Sequence, residues 1–195
     1  MKLHTRDIIT SHAKTLFATN GYGGFTMRTL AKDSDIGLSS IYHFFEDKDV
    51  LLTHIFDNTN RQLGIERSKL IHRRTANQML YDRIVFQFDH IEDVVFVLKY
   101  YLHFRQDFLK LHSGYIPSKA YLHIEEVLQF GLNNDEFNFE GRKIDEQAKV
   151  IAHAINGYLL EYYPEFPPKS ELKKVTNSIH SFLIRSLTNQ EVTMK

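Results

Sequence analysis

The side chains of this chain that could do chemistry are donors and acceptors rather than nucleophiles. There is no cysteine among its 195 residues. That removes thiolate catalysis, Cys-based zinc sites and disulfides, and fits a reducing, cytoplasmic setting. Neither a Gly-rich phosphate loop nor a Gly-x-Ser-x-Gly elbow occurs, and the paired Glu-x-x-His motifs of a di-iron bundle are missing. No enzyme and no cofactor is expected. Histidine is frequent, with 11 copies. His123 with Glu126, and His90 with Asp93, have the spacing that lets two side chains share a helix face. No second matching motif accompanies either pair, so no metal site is assigned. A denser polar set runs from Thr26 to Lys48: hydroxyls at Thr26, Ser39 and Ser40, the Arg28 guanidinium, the Tyr42 phenol, the His43 imidazole and the Lys48 ammonium. Such groups hold phosphates and base edges without breaking bonds.

Short helices must position that set. Ile9, Ala13, Leu16 and Phe17 recur at helical period over residues 4–20, with Gly21 as a stop. Thr26 can cap a second helix by accepting a bond from a free backbone N–H, and Leu30 with Ala31 continues the apolar face of Met27. Asp35-Ile36-Gly37 reads as a turn, since Asp tolerates the left-handed backbone and Gly adopts it freely. A third helix, Leu38–Phe44, is pinned from inside by Ile36 and Ile41. Its Leu38, Ser39, Ser40, Tyr42 and His43 are left facing outward. This is a helix-turn-helix, whose second helix enters the DNA major groove. A further helix starts at Lys48 and runs past Leu52, Ile55 and Phe56 towards Leu63.

The stretch resembles the DNA-binding domain of the TetR/AcrR family of bacterial transcription regulators. The matching residues are Phe17, Gly21-Tyr22, Phe25-Thr26-Met27, Leu30-Ala31 and Ile41 to Leu52. The family's tail motif is an aliphatic residue, Tyr, two free positions, Phe, two more, Lys, two more and Leu. Ile41, Tyr42, Phe45, Lys48 and Leu51 meet it throughout. Asp35, Gly37 and Ser39-Ser40 depart from common family choices, at positions that bear on turn geometry and base contacts. The resemblance implies that Thr26, Tyr42 and Lys48 touch phosphates. Arg28 would reach a base edge or pair with Asp33 or Asp35. Leu38 would meet a thymine methyl, and Ser39, Ser40 and His43 would serve bases or phosphates.

Charge gives this reading little help. The net charge is zero, and residues 1–60 hold six Lys and Arg against seven Asp and Glu. A broad basic patch, the usual footprint of a DNA binder, is absent. Affinity then rests on where individual charges sit.

Beyond residue 60 the pattern stays helical. Thr75 to Gln78 is a capping box, and Asp89 to Glu92 reads as another. Val94 to Leu98 is apolar on all sides, and Tyr101, Phe104, Phe108 and Leu111 extend its period, which predicts one long central helix. Ser113 to Pro117 breaks it. A helix over Ala120 to Gly131 and a loop over Asn133 to Phe137 follow. Two stripes end the chain: Ile144, Ala148, Ile151, Ile155 and Tyr158, then Leu172, Val175, Ile179, Phe182 and Ser186. Pro164, Pro167 and Pro168 separate them.

The expected architecture is all-α: a three-helix DNA-binding domain over residues 1–60 and a helical ligand-binding and dimerisation domain over 61–195, about nine helices in all. By resemblance, helices near 144–163 and 170–188 pair with their copies in a homodimer. A small-molecule effector would enter among Phe86, Tyr100, Phe104, Phe108, Tyr121, His153 and Tyr158, although ordinary core filling accounts for any single ring. No run of residues is long and apolar enough for a membrane, so no membrane partner is expected. These features imply a cytoplasmic, ligand-released repressor of a pseudo-palindromic operator. The alternative is a helical small-molecule or metal-binding interaction protein whose DNA binding is weak or lost.

Overall fold

The computed structural model describes residues 4–70, 75–112, 121–139, 141, 143–162 and 167–188. Among them are ten helices and no strand. They are α1 (Thr5–Gly24), α2 (Met27–Ser34), α3 (Leu38–Phe44), α4 (Lys48–Ser68) and α5 (Ala76–Asp89). Then come α6 (Ile91–His103), α7 (Phe108–Leu111), α8 (Leu122–Asn133), α9 (Ile144–Glu161) and α10 (Lys169–Leu187). The breaks read at Ser113 to Pro117 and at Pro164 lie outside the described residues. No described helix is long and apolar enough to cross a membrane. The chain divides into two compact units. One is Met1–Leu63 with Glu92–Tyr115, the other Gly64–Ile91 with Ile116–Lys195.

The first unit is built on an aromatic core. Phe17 of α1 meets Phe96 of α6 edge-on, with ring centroids 5.4 Å apart. Phe56 of α4 stacks on Tyr100 at 4.4 Å and takes Phe108 edge-on at 5.4 Å. Ile9, Leu30, Ile41, Leu51 and Leu52 are wholly buried around them. At about 1.5–3 kcal/mol per buried large side chain, this cluster dominates the unit. The Tyr100 phenol is within 2.8 Å of the Thr53 hydroxyl and 3.0 Å of His112 Nε2. His112 in turn places Nδ1 2.9 Å from Asp57. Burial pushes the Tyr100 phenol up to about 12.

The long central helix expected through Leu111 is two helices. α6 ends at His103, the chain turns over residues 104–107, and α7 resumes at Phe108. Asp107 organises the restart, because its carbonyl accepts Lys110 N and Leu111 N while its carboxylate takes Lys110 Nζ at 2.8 Å. The turn still brings Phe104 and Phe108 onto Tyr100, at 4.6 and 6.4 Å, which is why the apolar period looked unbroken.

In the second unit α5 packs on α8, α9 and α10. Thr75 caps α5 by accepting Gln78 N at 3.1 Å. The reciprocal half of that box is not made, since the Gln78 amide turns to Asp82. Glu136 supplies the rest, accepting Ala76 N at 2.9 Å and Asn77 N at 3.3 Å. Asp89, read as a cap for the next helix, instead closes α5. Phe137 folds back on Gly131 so closely that a Cβ there would lie 2.1 Å from the ring. The terminal stripes are offset from the expected ones. α9 buries Ala148, Ile151, Ile155 and Leu159, leaving Tyr158 exposed. α10 buries Thr176, Ile179, Leu183 and Leu187, leaving Phe182 exposed.

Candidate nucleic-acid interface

The helix-turn-helix is assembled by local bonds. Thr26 Oγ1 accepts Thr29 N and Thr29 Oγ1 accepts Thr26 N, both at 3.0 Å, so α2 begins with a reciprocal cap that contributes about 1 kcal/mol. α2 ends where Asp35 takes the left-handed conformation, φ 54° and ψ 33°. Gly37 precedes α3 at φ −55°, so Asp35 alone makes the reversal. Ile41 is fully buried and anchors α3. Ile36 and Leu38 pack half-buried against the same core. Ser39, Ser40 and His43 are exposed, and Tyr42 is 49% exposed.

Four of the predicted DNA contacts converge. Thr26, Arg28, Tyr42 and Lys48, with Met27 and Asp47, line one groove of about 340 Å³. Ser39, Ser40 and His43 lie on α3 outside that lining. Arg28 makes no ion pair among the described residues, and one of its two candidate partners, Asp33, is 2.7 Å from His12 Nδ1. Lys48 is placed differently. Its ammonium donates to the carbonyls of Tyr22 at 3.0 Å and Phe25 at 3.1 Å, and lies 3.5 Å from the centroid of the Tyr22 ring. Two of its three donors are thus directed into the unit. The helix start it occupies is capped by Asp47, whose carboxylate accepts Val50 N at 2.8 Å.

Tyr22 makes this arrangement possible. Its phenol donates to Asp49 at 2.6 Å, and its ring stacks on His103 at 3.9 Å. The bond to Asp49, then burial, holds the phenol up at about 12. Gly21, just before it, interrupts α1 with φ 68° and ψ −177°. In that region of backbone space nearly all residues are glycine, and the kink falls one residue before the Tyr22 carbonyl that Lys48 shares with Phe25 N.

The residues read as an effector pocket fall into the two units. Tyr100, Phe104 and Phe108 fill the core of the first. In the second, Phe86 is buried and stacks on His90 at 4.1 Å, Tyr121 meets His153 edge-on at 5.9 Å, and Tyr158 is exposed. No group of three potential metal-ligating side chains forms among the described residues. His123, the candidate ligand, has both ring nitrogens buried without a partner, and its electrostatic neighbours are Arg83 and Arg67. Arg83, buried on α5, was not among the predicted site residues. A lone arginine in an apolar stripe reads as a surface side chain, and only the packing of α5 reveals its burial.

Residues 9–55 match the family described as bacterial regulatory proteins, tetR family. A probable HTH-type transcriptional regulator, YttP of Bacillus subtilis (strain 168), is 27% identical over 106 residues, 51% of each chain, so the match spans about half of that relative's length. Among solved structures, the ketosteroid regulator KstR2 of Mycobacterium tuberculosis superposes with TM-score 0.79 at 16% identity, over 96% of this chain and 97% of that one. The regulator FadR of Bacillus subtilis, in complex with stearoyl-CoA, does so with TM-score 0.68 at 18% identity, over 92% and 98%. At these identities the structures show a shared fold.

Proposed function

We propose that the chain, whose residues 9–55 match the tetR family of bacterial regulatory proteins, is a cytoplasmic homodimeric repressor released by a small-molecule effector. Residues 1–60 read DNA and residues 61–195 serve dimerisation and effector binding. The observation that carries the reading is the exposed face of α3 beside the groove of Thr26, Arg28, Tyr42 and Lys48. Tyr42 and Thr26 hold phosphates, while Lys48 adds its remaining donor and the start of its helix. Arg28, unpaired, is free to reach a guanine. Ser39, Ser40, His43 and the outer edge of Leu38 meet bases or phosphates.

Dimerisation draws support from apolar surface left uncovered on the last two helices. Val150 is 61% and Phe182 62% exposed, with Tyr158 and Leu160 also open. On α9, Val150, Ala154 and Gly157 recur at helical spacing, and a Cβ on Gly157 would meet nothing within 4 Å. Patches of this kind mark protein contacts. Two copies would place their α3 helices in successive major grooves, about 34 Å apart. An effector that binds a dimer of wrong spacing more tightly would release DNA, and only to the extent of that difference.

The test is a mobility-shift titration against the chain's own upstream region and a random-sequence library. Sequence-selective, salt-dependent binding is expected; its absence from both would sink the repressor reading. Tyr42→Ala should weaken all sites alike. Arg28→Ala should in addition relax base preference at one position per half-site, by about 1–3 kcal/mol.

A further inference from the structure

The inward face of α5 carries two long polar side chains one turn apart. Gln87, 5% exposed, donates its amide to Asn156 of α9 at 3.0 Å. Arg83, 4% exposed, has no equivalent: its Nε and Nη1 are buried with no hydrogen-bond partner among the described residues. The charge that acts on it among the described residues is another cation, Arg67. α8, which packs on α5, brings up His123 in the same condition, with Nδ1 and Nε2 both buried and unpartnered. A guanidinium does not give up its proton at neutral pH, and a buried unpaired cation is among the most costly arrangements in a protein. Burial lowers Arg83 only to about 9, while burial, Arg83 and Arg67 bring His123 down to about 4. The pair therefore presents one positive charge and one neutral N–H donor, with no anion to meet them among the described residues.

We propose that Arg83 and His123 form the head-group site for a carboxylate-bearing effector in the second unit. A carboxylate matches the guanidinium fork with two parallel bonds. A neutral imidazole adds a third donor without adding charge, so a single negative charge is balanced. Leu80 on α5 and Val127 on α8, each one helical turn from Arg83 or His123 and buried, suit an acid with an apolar body. This deepens the effector reading and rests on it.

The experiment uses the full chain and thermal unfolding followed by circular dichroism. Butyrate, decanoate, palmitate and benzoate are compared with their alcohols and with decyl phosphate. At least one acid should raise Tm where its alcohol does not. Arg83→Met should unfold at a higher temperature than wild type without ligand, because an unpaired buried charge is gone. It should also bind that acid about ten- to a hundredfold more weakly. A stabilised variant cannot be dismissed as misfolded. Four results would overturn the proposal: no acid stabilises, the alcohol works as well, decyl phosphate surpasses every acid, or Arg83→Met leaves acid affinity intact. The mobility shift separates this from the repressor reading. An acid that binds through Arg83 but leaves DNA binding unchanged removes ligand release and keeps the site. A neutral compound that releases DNA equally from wild type and Arg83→Met does the reverse.

Discussion

His123 makes folding depend on pH in a window set by its own burial. Desolvation first, then the charges of Arg83 on α5 and Arg67 on α4, bring its folded pKa from 6.5 to about 4. As pH falls through 6.5 the unfolded chain takes the proton and the folded chain does not, so stability drops. The loss is complete below about pH 4, where both states are protonated. Urea midpoints for wild type and His123→Gln should therefore diverge between about pH 6.5 and 4, wild type falling by up to about 1.4 kcal/mol per pH unit relative to the variant. Parallel curves would mean that His123 titrates as it does in water. What the sequence revealed at this scale was the local chemistry. The Thr26 cap, the outward Tyr42 and the buried Ile41 all follow from neighbours within one turn. The Lys48 motif position was legible, but not its target, because the carbonyls it takes lie 26 and 23 residues away, at Tyr22 and Phe25. That Arg83 Nε and Nη1 find no partner among the described residues was hidden for the same reason, since it is a property of the packed unit.

Among the elements, α1 shows how much depends on a single backbone angle. Gly21 holds φ 68° and ψ −177°, and no atom crowds its missing Cβ, so an alanine would be strained rather than sterically blocked. Gly21→Ala should cost about 1–3 kcal/mol in urea unfolding. It should also weaken DNA binding, since Tyr22 and, through it, Lys48 would shift. Unchanged stability would show that α1 can straighten freely. The helical period located α1 to α5 and α8 to α10 well, because a period reports which face is buried. It does not report continuity, and so it carried α6 across the turn at residues 104–107. On α10 it favoured a face containing Phe182, whereas the unit buries the neighbouring face of Thr176, Leu183 and Leu187. A helix with apolar residues on two faces leaves that choice to its neighbours.

At the scale of the molecule, the helix-turn-helix belongs to a unit that is discontinuous in sequence. Phe96, Tyr100 and Phe108 are buried against Phe17 and Phe56, although they follow Leu63 by more than thirty residues. Each accounts for about 1.5–3 kcal/mol of burial, which together rivals the whole stability of a small domain. A fragment of residues 1–63 should thus lose its cooperative thermal transition, while the full chain keeps one. A sharp transition in the fragment would show that α6 and α7 are dispensable. The all-helical class and the reading motif could be seen in the sequence, but this insertion could not, since apolar period does not say which helix a face will meet. The same discontinuity has a consequence during synthesis. With translation at about 5–20 residues per second, Phe108 follows Leu63 out of the ribosome by roughly two to nine seconds. For that interval the nascent reader carries Phe17 and Phe56 uncovered. A chain at that stage is exposed to aggregation, and its helix-turn-helix gains its full support only after α6 and α7 have emerged.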